Sequence, residues 1–118
     1  MASHNELGKV GEHLAWTWLQ ENGYVILHRN WRHSYYEIDI VATKGKFLYF
    51  IEVKTRIFFP FGHPEDSVSR KKFKKLQKAA DEYLNGHPGH EWIQYCILAI
   101  TLFENREPEY FLIEDVFL

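Results

Sequence analysis

The chain has 118 residues, a net charge of −2 at pH 7, 46% hydrophobic residues and 25% charged residues. These values predict one compact domain spanning residues 1–118 and argue against bulk electrostatic attraction to nucleic acid, although a local basic surface could still bind phosphates. No apolar run approaches membrane-spanning length, so we expect no contact with a membrane. The single cysteine, Cys96, and the lack of a signal-peptide pattern in residues 1–5 predict a cytoplasmic protein.

The first predicted element is a helix, because apolar residues recur at helical spacing from Leu7 to Leu19. Glu12 lies at the edge of this apolar stripe, one turn from Gly8 and close to Gly11. Glycine permits close approach of a helix backbone to a sheet. Glu12 is therefore either a solvated glutamate or a side chain that reaches a site on the sheet.

Three strands are predicted to follow as an antiparallel meander. Asn22-Gly23 ends the helix, and Tyr24 to Trp31 forms the first strand. Ile40 to Ala42 and Phe47 to Ile51 then pair as a hairpin around a turn at residues 43–46.

Two short motifs, Glu37-Ile38-Asp39 and Glu52-Val53-Lys54, flank this hairpin. A turn at residues 45–46 places Asp39 opposite Glu52, whereas a turn at residues 44–45 places Glu37 there instead. Because side chains alternate along a strand, the polar side chains share one face with either turn: Glu37, Asp39, Glu52 and Lys54. The other face is apolar and is predicted to pack on a core: Ile38, Ile40, Ala42, Phe47, Tyr49, Ile51 and Val53.

The second half of the chain predicts one helix and two strands. A loop at residues 57–66 precedes a helix that runs to Leu84 and ends at Asn85-Gly86. Ile93 to Leu102 is a continuous apolar strand, buried on both faces, and Tyr110 to Ile113 is a short strand near an edge. The predicted fold is a single α/β domain of order α-β-β-β-α-β-β, with a mixed sheet flanked by helices.

Two carboxylates that face each other across a strand pair repel and destabilise it. A hard divalent cation such as Mg²⁺ or Mn²⁺ removes that repulsion, because it binds carboxylate oxygens together with water and phosphate. Lys54 points the same way and could orient or activate an attacking water. A simpler interpretation is an exposed sheet face with an ordinary ion pair between Glu37 and Lys54.

Asp39, a spacer and Glu52-x-Lys54 resemble the PD-(D/E)xK nuclease superfamily. Over nearly its full length the chain is similar to the YraN-like family of small bacterial proteins, which look like relatives of archaeal Holliday junction resolvases. The matching motifs include Gly8-x-x-Gly11-Glu12, Gly23-Tyr24, Arg29-Asn30-Trp31-Arg32 and Phe61-Gly62-x-Pro64. The sequence departs from the expected pattern at three positions: Ile38 replaces the proline of the nuclease motif, as is usual in this family, Tyr36 replaces a glycine, and Cys96 replaces an expected carboxylate.

The resemblance implies a restriction-endonuclease-like core and a catalytic site. It implies metal ligands at Asp39 and Glu52, a catalytic lysine at Lys54 and a supporting acid at Glu12. The backbone carbonyl of Val53 could add a metal ligand, and Glu37 could support the metal or its waters.

Several cations could hold phosphates of a nucleic acid, without sequence specificity. They are Arg29, Arg32 and Arg56 near the strands, and Arg70, Lys71, Lys72, Lys74, Lys75 and Lys78 on the second helix. A lysine-rich helix face is more often only a solvated face.

Our leading hypothesis is Mg²⁺- or Mn²⁺-dependent cleavage of DNA, at branched or distorted structures. The alternatives are a non-catalytic nucleic-acid-binding module and a protein-interaction module on the same fold. The aromatic loop at 57–66 and the apolar end at 116–118 also predict a homodimer, because exposed apolar patches usually mark an interface.

Overall fold

The computed structural model describes residues 4–58 and 70–114, and the side chains within these ranges except those of residues 4, 5 and 70–72. The elements are α1 (His4–Glu21), β1 (Val25–His33), β2 (Tyr36–Lys44), β3 (Phe47–Ile57), α2 (Arg70–Gly86), β4 (Ile93–Leu102) and β5 (Glu109–Glu114). This order confirms the predicted α-β-β-β-α-β-β architecture. The aromatic loop beyond Phe58 and the apolar end at 116–118 lie outside the described residues, so the homodimer stays a prediction.

The five strands form one sheet in the order β1-β2-β3-β4-β5, so β1 and β5 are its edges. β1, β2 and β3 form an antiparallel meander, β3 pairs with β4 in parallel, and β4 pairs with β5 antiparallel. The predicted meander, the strand β4 and the edge strand β5 are therefore confirmed, and β4 is buried on the face under α1 but only in part on the other face. The parallel pair requires a long crossover connection, and α2 lies in it.

Helix α1 ends where the sequence predicted, through a Schellman motif. The N–H of Tyr24 donates to the carbonyl of Leu19 at 3.0 Å, and the N–H of Gly23 donates to the carbonyl of Gln20 at 3.2 Å. Gly23 has a φ of 89°, which glycine adopts without a Cβ penalty. The cap turns the chain back directly into β1.

The sheet carries a hydrophobic core on each face. One core lies under α1 and contains Ala15, Leu19, Ile40, Ala42, Tyr49, Ile51, Cys96, Leu98 and Ile100. The other core lies under α2 and contains Ile38, Val41, Leu48, Phe50, Leu76, Ala79, Ala80 and Tyr83. The buried side of α2 is therefore formed by Leu76, Ala79, Ala80 and Tyr83.

The hairpin turn is at Gly45-Lys46, with Lys44 paired to Phe47. Gly45 has a φ of 60°, and it is the first central residue, where a type II′ hairpin turn needs a positive φ. Of the two registers open from the sequence, the structure therefore has the one that directs Asp39 towards Glu52.

The two glycines of α1 have different roles. A Cβ added at Gly11 would lie 2.8 Å from the Cβ of Thr55 on β3, whereas one added at Gly8 would meet nothing within 4 Å. The close approach of α1 to the sheet therefore depends on Gly11.

We expect Gly11→Ala to lower the free energy of unfolding by about 2 kcal/mol, because the new methyl overpacks against Thr55. The matched control Gly8→Ala should raise that free energy by up to about 1 kcal/mol, because alanine is the better helix former. Urea denaturation of both variants measures the difference. Equal effects would contradict the close contact at Gly11.

Candidate active site at the β2–β3 gap

Strands β2 and β3 separate immediately after the hairpin. Their pairing runs from Lys44–Phe47 to Ile40–Ile51 and ends there, while β2 stays paired with β1 and β3 stays paired with β4. Beyond Ile51 the Oδ2 atom of Asp39 accepts a hydrogen bond of 2.8 Å from the backbone N–H of Val53. The carboxylate of Asp39 therefore lies in the gap and satisfies a strand edge that has lost its partner strand.

A small cleft of about 180 Å³ opens beside this gap and is lined by Leu7, Gly8, Glu12, Asp39, Val53 and Thr55. We call it the carboxylate cleft. Helix α1 contributes Glu12 from one side, and β2 contributes Asp39 from the other. Because the N–H and carbonyl of one residue point to the same edge of a strand, the carbonyl of Val53 faces the same gap.

The surroundings of Asp39 disfavour the ionised form of its carboxyl group. The pKa of Asp39 is raised to about 6, against an ordinary value of 3.8, and burial is the largest cause. The nearby charges of Glu52, Glu12 and Glu37, in that order, contribute to the same rise, and the hydrogen bond from Val53 offsets part of it. The Oε2 atom of Glu52 is itself shielded from solvent. Such a cluster of negative charge favours a bound proton or a bound cation.

Glu12 is oriented by a residue on β1. The side-chain amide of Asn30 donates to Oε2 of Glu12 at 3.3 Å, and Asn30 has a left-handed φ of 52° within the strand. Asparagine is among the side chains that best tolerate this conformation. Neighbouring Arg29 stacks its guanidinium 4.0 Å from the centroid of the Trp16 ring. The irregular part of β1 therefore directs Asn30 to the carboxylate cleft.

The prediction that all four polar residues share one face is wrong. Ile38 and Val41 both pack in the core under α2, although they are three positions apart, so the alternation of β2 is interrupted at Asp39. Ile38 thus lies on the face opposite to the predicted one, and Asp39 enters the cleft beside α1. The cause is the gap itself, because Asp39 turns to bind the N–H of Val53.

Lys54 borders a different depression, on the face of the sheet opposite α1. A groove of about 600 Å³ is lined by Lys54, Arg56, Ile97, Ala99, Phe111 and Ile113, among others. We call it the β3–β5 groove. Val53 packs against the core under α1, and Thr55 meets Gly11. Lys54 and Arg56, which alternate with them, therefore face away from α1.

Glu37 is at the outer end of the site. Its carboxylate forms an ion pair of 3.5 Å with Arg32, its partner across the β1–β2 ladder, and both side chains are mostly exposed. The simpler interpretation paired Glu37 with Lys54, whereas this ion pair joins Glu37 to Arg32. Glu37 also lines a shallow depression with Tyr35, Tyr36 and Lys75.

The predicted phosphate-binding cations are spread over the surface. Lys74, Lys75 and Lys78 are exposed on α2, and Arg56 is held by a 3.3 Å hydrogen bond from its Nε to Oγ1 of Thr101. The side chains of Arg70, Lys71 and Lys72 are not among those that the structure describes. The structure does not bring Arg29 and Arg32 into the groove.

Within residues 4–58 and 70–114, no three histidine, cysteine or carboxylate side chains form a complete metal-binding group. Mg²⁺ commonly takes one or two carboxylates and fills its remaining positions with water and substrate phosphate. Asp39 with Glu52 or Glu12, together with the Val53 carbonyl, fits that smaller donor set. Cys96, where the resemblance implies a carboxylate, is buried in the core under α1. Neither described helix is both long and apolar enough to cross a membrane.

Three residues near these sites carried no role in the sequence interpretation: Asn30, Thr55 and Phe111. Asn30 stood in one of the matching motifs, and an asparagine inside a strand was the available signal for a left-handed residue. No local pattern distinguished Phe111 from the other aromatic residues, because its exposure depends on which faces the helices leave open.

The family comparison covers most of the chain. Residues 11–104 match the model described as "Uncharacterised protein family UPF0102". A UPF0102 protein of Bacteroides thetaiotaomicron is 51% identical over 84 residues, covering 71% of this chain and 69% of the relative. One from Flavobacterium psychrophilum is 42% identical over 99% of this chain and 98% of its own length. One from Chloroherpeton thalassium is 38% identical over 99% and 97%. The chain therefore belongs to the UPF0102 family, which is the YraN-like family that its motifs resemble.

Proposed function

We propose that this protein hydrolyses phosphodiester bonds of DNA with Mg²⁺ or Mn²⁺ held in the β2–β3 gap. The observation that supports this most directly is the carboxylate of Asp39, which is buried in the gap, accepts a hydrogen bond from the N–H of Val53, and has its pKa raised by burial and by the charges of Glu52, Glu12 and Glu37. The burial of this carboxylate and the negative charges near it disfavour its ionisation. A divalent cation would compensate for that cost and would bring its substrate phosphate to the gap.

Each residue has a defined part in this proposal. Asp39, Glu52 and the carbonyl of Val53 hold the cation, which when bound stabilises negative charge on the phosphate oxygens. Glu12, oriented by Asn30, accepts hydrogen bonds from water in the carboxylate cleft. Lys54 approaches from the β3–β5 groove and holds the phosphate or orients the attacking water. Glu37 and its partner Arg32 lie at the periphery.

Affinity for the polymer would come from cations in the β3–β5 groove and on the exposed side of α2. Arg56 lies in the β3–β5 groove, and Lys74, Lys75 and Lys78 lie on the exposed side of α2. Each phosphate contact releases a counterion, so binding should weaken as salt is raised. This local basic surface compensates for the overall charge of −2.

The test is cleavage of labelled linear, nicked, flap and four-way DNA, and of RNA, with Mg²⁺ or Mn²⁺. We expect metal-dependent cleavage, and we expect Lys54→Ala and Glu52→Gln each to lower its rate by about 100-fold or more, since each removes a charge from the reacting centre. Lys46→Ala is the matched control, because Lys46 lies at the turn at the other end of the hairpin, over the Trp92 ring. Equal cleavage by the Lys54 variant and the control would contradict the proposal.

A second candidate function is metal-independent nucleic-acid binding. It is favoured by the absence of a complete three-ligand metal group in the described ranges. Salt-sensitive binding in EDTA, with no cleavage of any substrate, would select this function. No binding and no cleavage would leave protein interaction as the role of the fold.

A further inference from the structure

The β3–β5 groove has a regular cross-section that follows from strand register. Lys54 on β3 is the direct neighbour of Ala99 on β4, and Ala99 is the direct neighbour of Phe111 on β5. Adjacent strands lie about 4.8 Å apart, so the backbones of Lys54 and Phe111 are separated by about 10 Å. Ala99, between them, has a side chain of one methyl group. A cation and an aromatic ring therefore stand on either side of a low floor.

Phe111 is available to a ligand. It is 67% exposed, although it is a large apolar side chain in a strand. Its neighbour Tyr110 points to the opposite face, where it stacks on Trp18 of α1 at 5.4 Å between ring centroids. Phe111 therefore faces away from α1, on the side of Lys54 and Arg56, and borders the groove that they line.

Two cations, Lys54 and Arg56, line this groove. Thr101 fixes Arg56 by accepting its Nε hydrogen bond at 3.3 Å. Glu109, the acidic residue on the same rung, also lines the groove, and its charge is balanced by an ion pair of 3.4 Å with Arg106. Along the neighbouring rung, Ile97 and Ile113 provide an apolar floor. One side of the groove thus suits an anion, and the other suits a flat apolar surface.

We propose that this slot, formed by Lys54, Ala99 and Phe111, binds an unpaired nucleotide of the substrate. The base stacks on Phe111 above Ala99, and its phosphate lies at Lys54 and Arg56. A base has a free face for such stacking when it has left the duplex, so the slot selects single-stranded, flapped or distorted DNA over an intact duplex. This inference rests on the proposed function, and it assigns that function a substrate class.

The experiment is binding of a fluorescein-labelled oligothymidine to the full chain in EDTA, measured by anisotropy. We expect Phe111→Ala to weaken binding about 5- to 100-fold, the range that loss of one stacked base produces. Phe111→Tyr should bind like the parent, because the ring is kept. Ala99→Leu should weaken binding similarly by filling the floor, whereas Ala99→Ser should not. Val25→Ala is the control, because Val25 is an exposed apolar residue on the opposite edge strand.

The results separate this inference from the nuclease proposal. Unchanged binding by Phe111→Ala, or by Ala99→Leu, overturns the slot whatever the enzyme cleaves. An equal loss on blunt duplex DNA overturns the preference for unpaired nucleotides. If the expected losses occur in EDTA but no substrate is cleaved with Mg²⁺ or Mn²⁺, the slot stands and the catalytic proposal fails. Unfolding midpoints of each variant, taken in the same buffer, establish that the folded protein was measured.

Discussion

Asp39→Asn is expected to raise the free energy of unfolding in EDTA at pH 8 and to abolish stabilisation by Mg²⁺ or Mn²⁺. At pH 8 the parent holds an ionised carboxylate in a place that raises its pKa to about 6. Asparagine removes that charge, and its oxygen can still accept the hydrogen bond from Val53. A shift of this size is equivalent to about 3 kcal/mol at most, so we expect a gain of about 1 to 3 kcal/mol.

The same substitution has a defined pH dependence. The folded parent binds the Asp39 proton more tightly than the unfolded chain does. The contribution of this group to stability is therefore complete below pH 3.8 and is lost as pH rises through about 6. In the Asn variant this fall should be absent. Stabilisation of the parent by metal should be larger at pH 8 than at pH 5, because a cation must displace the proton.

Thermal and urea unfolding at pH 5 and pH 8, with EDTA or with Mg²⁺, measure both effects. Glu37→Gln is the matched control, because that carboxylate is largely exposed and paired with Arg32. The control should keep its response to metal. If the Asp39 variant is less stable than the parent in EDTA, or if Mg²⁺ stabilises it as much as the parent, the metal does not bind at Asp39.

Tyr83→Ala should cause the largest loss of stability, about 3 to 5 kcal/mol, because it opens a cavity among packed rings. Tyr83 is 2% exposed and contacts Trp31 and Phe50 edge-on, with ring centroids 5.3 and 5.5 Å away. It also stacks on His87 at 4.0 Å. The ring therefore joins α2 to β1 and β3.

Urea denaturation of Tyr83→Ala should be compared with Tyr83→Phe and Lys78→Ala. The phenylalanine variant keeps the ring packing and should lose less than about 1.5 kcal/mol. Lys78 is exposed on the same helix, and its truncation should change stability by no more than about 0.5 kcal/mol. A Tyr83→Ala loss no larger than that of Lys78→Ala would contradict a packing role for this ring.

Much of the fold could be predicted because its signals are local. Asn22-Gly23 ended the first helix through its cap, and the apolar run at Ile93–Leu102 corresponds to β4. The hairpin itself was also predicted, whereas its register was left open between two turns and is decided by the structure, with the turn at Gly45-Lys46. In each case a few neighbouring residues determine the backbone, so the amino-acid sequence contains enough information.

The candidate site was less predictable because its geometry departs from regular structure. Strict alternation placed Ile38 beside Ile40, and the prediction failed where Asp39 turns to bind Val53 across a gap. That gap exists because β2 follows β1 while β3 follows the distant strand β4. The pairing of strands that are distant in the sequence therefore determines on which side of the sheet Asp39 and Lys54 lie.

The parallel ladder between β3 and β4 also bears on the order in which the protein can assemble. Arg56 and Thr101, neighbours across it, are 45 positions apart in the chain, whereas β1, β2 and β3 are joined by short turns. Contacts between distant residues carry a larger loop-closure cost and tend to form later in folding. The residues lining the carboxylate cleft all come before position 56, so nascent chain that ends at β3 already contains them. The β3–β5 groove exists only after the C-terminal hairpin of β4 and β5 has docked on β3. The carboxylate cleft is therefore the earlier product of folding, and the β3–β5 groove is the later one.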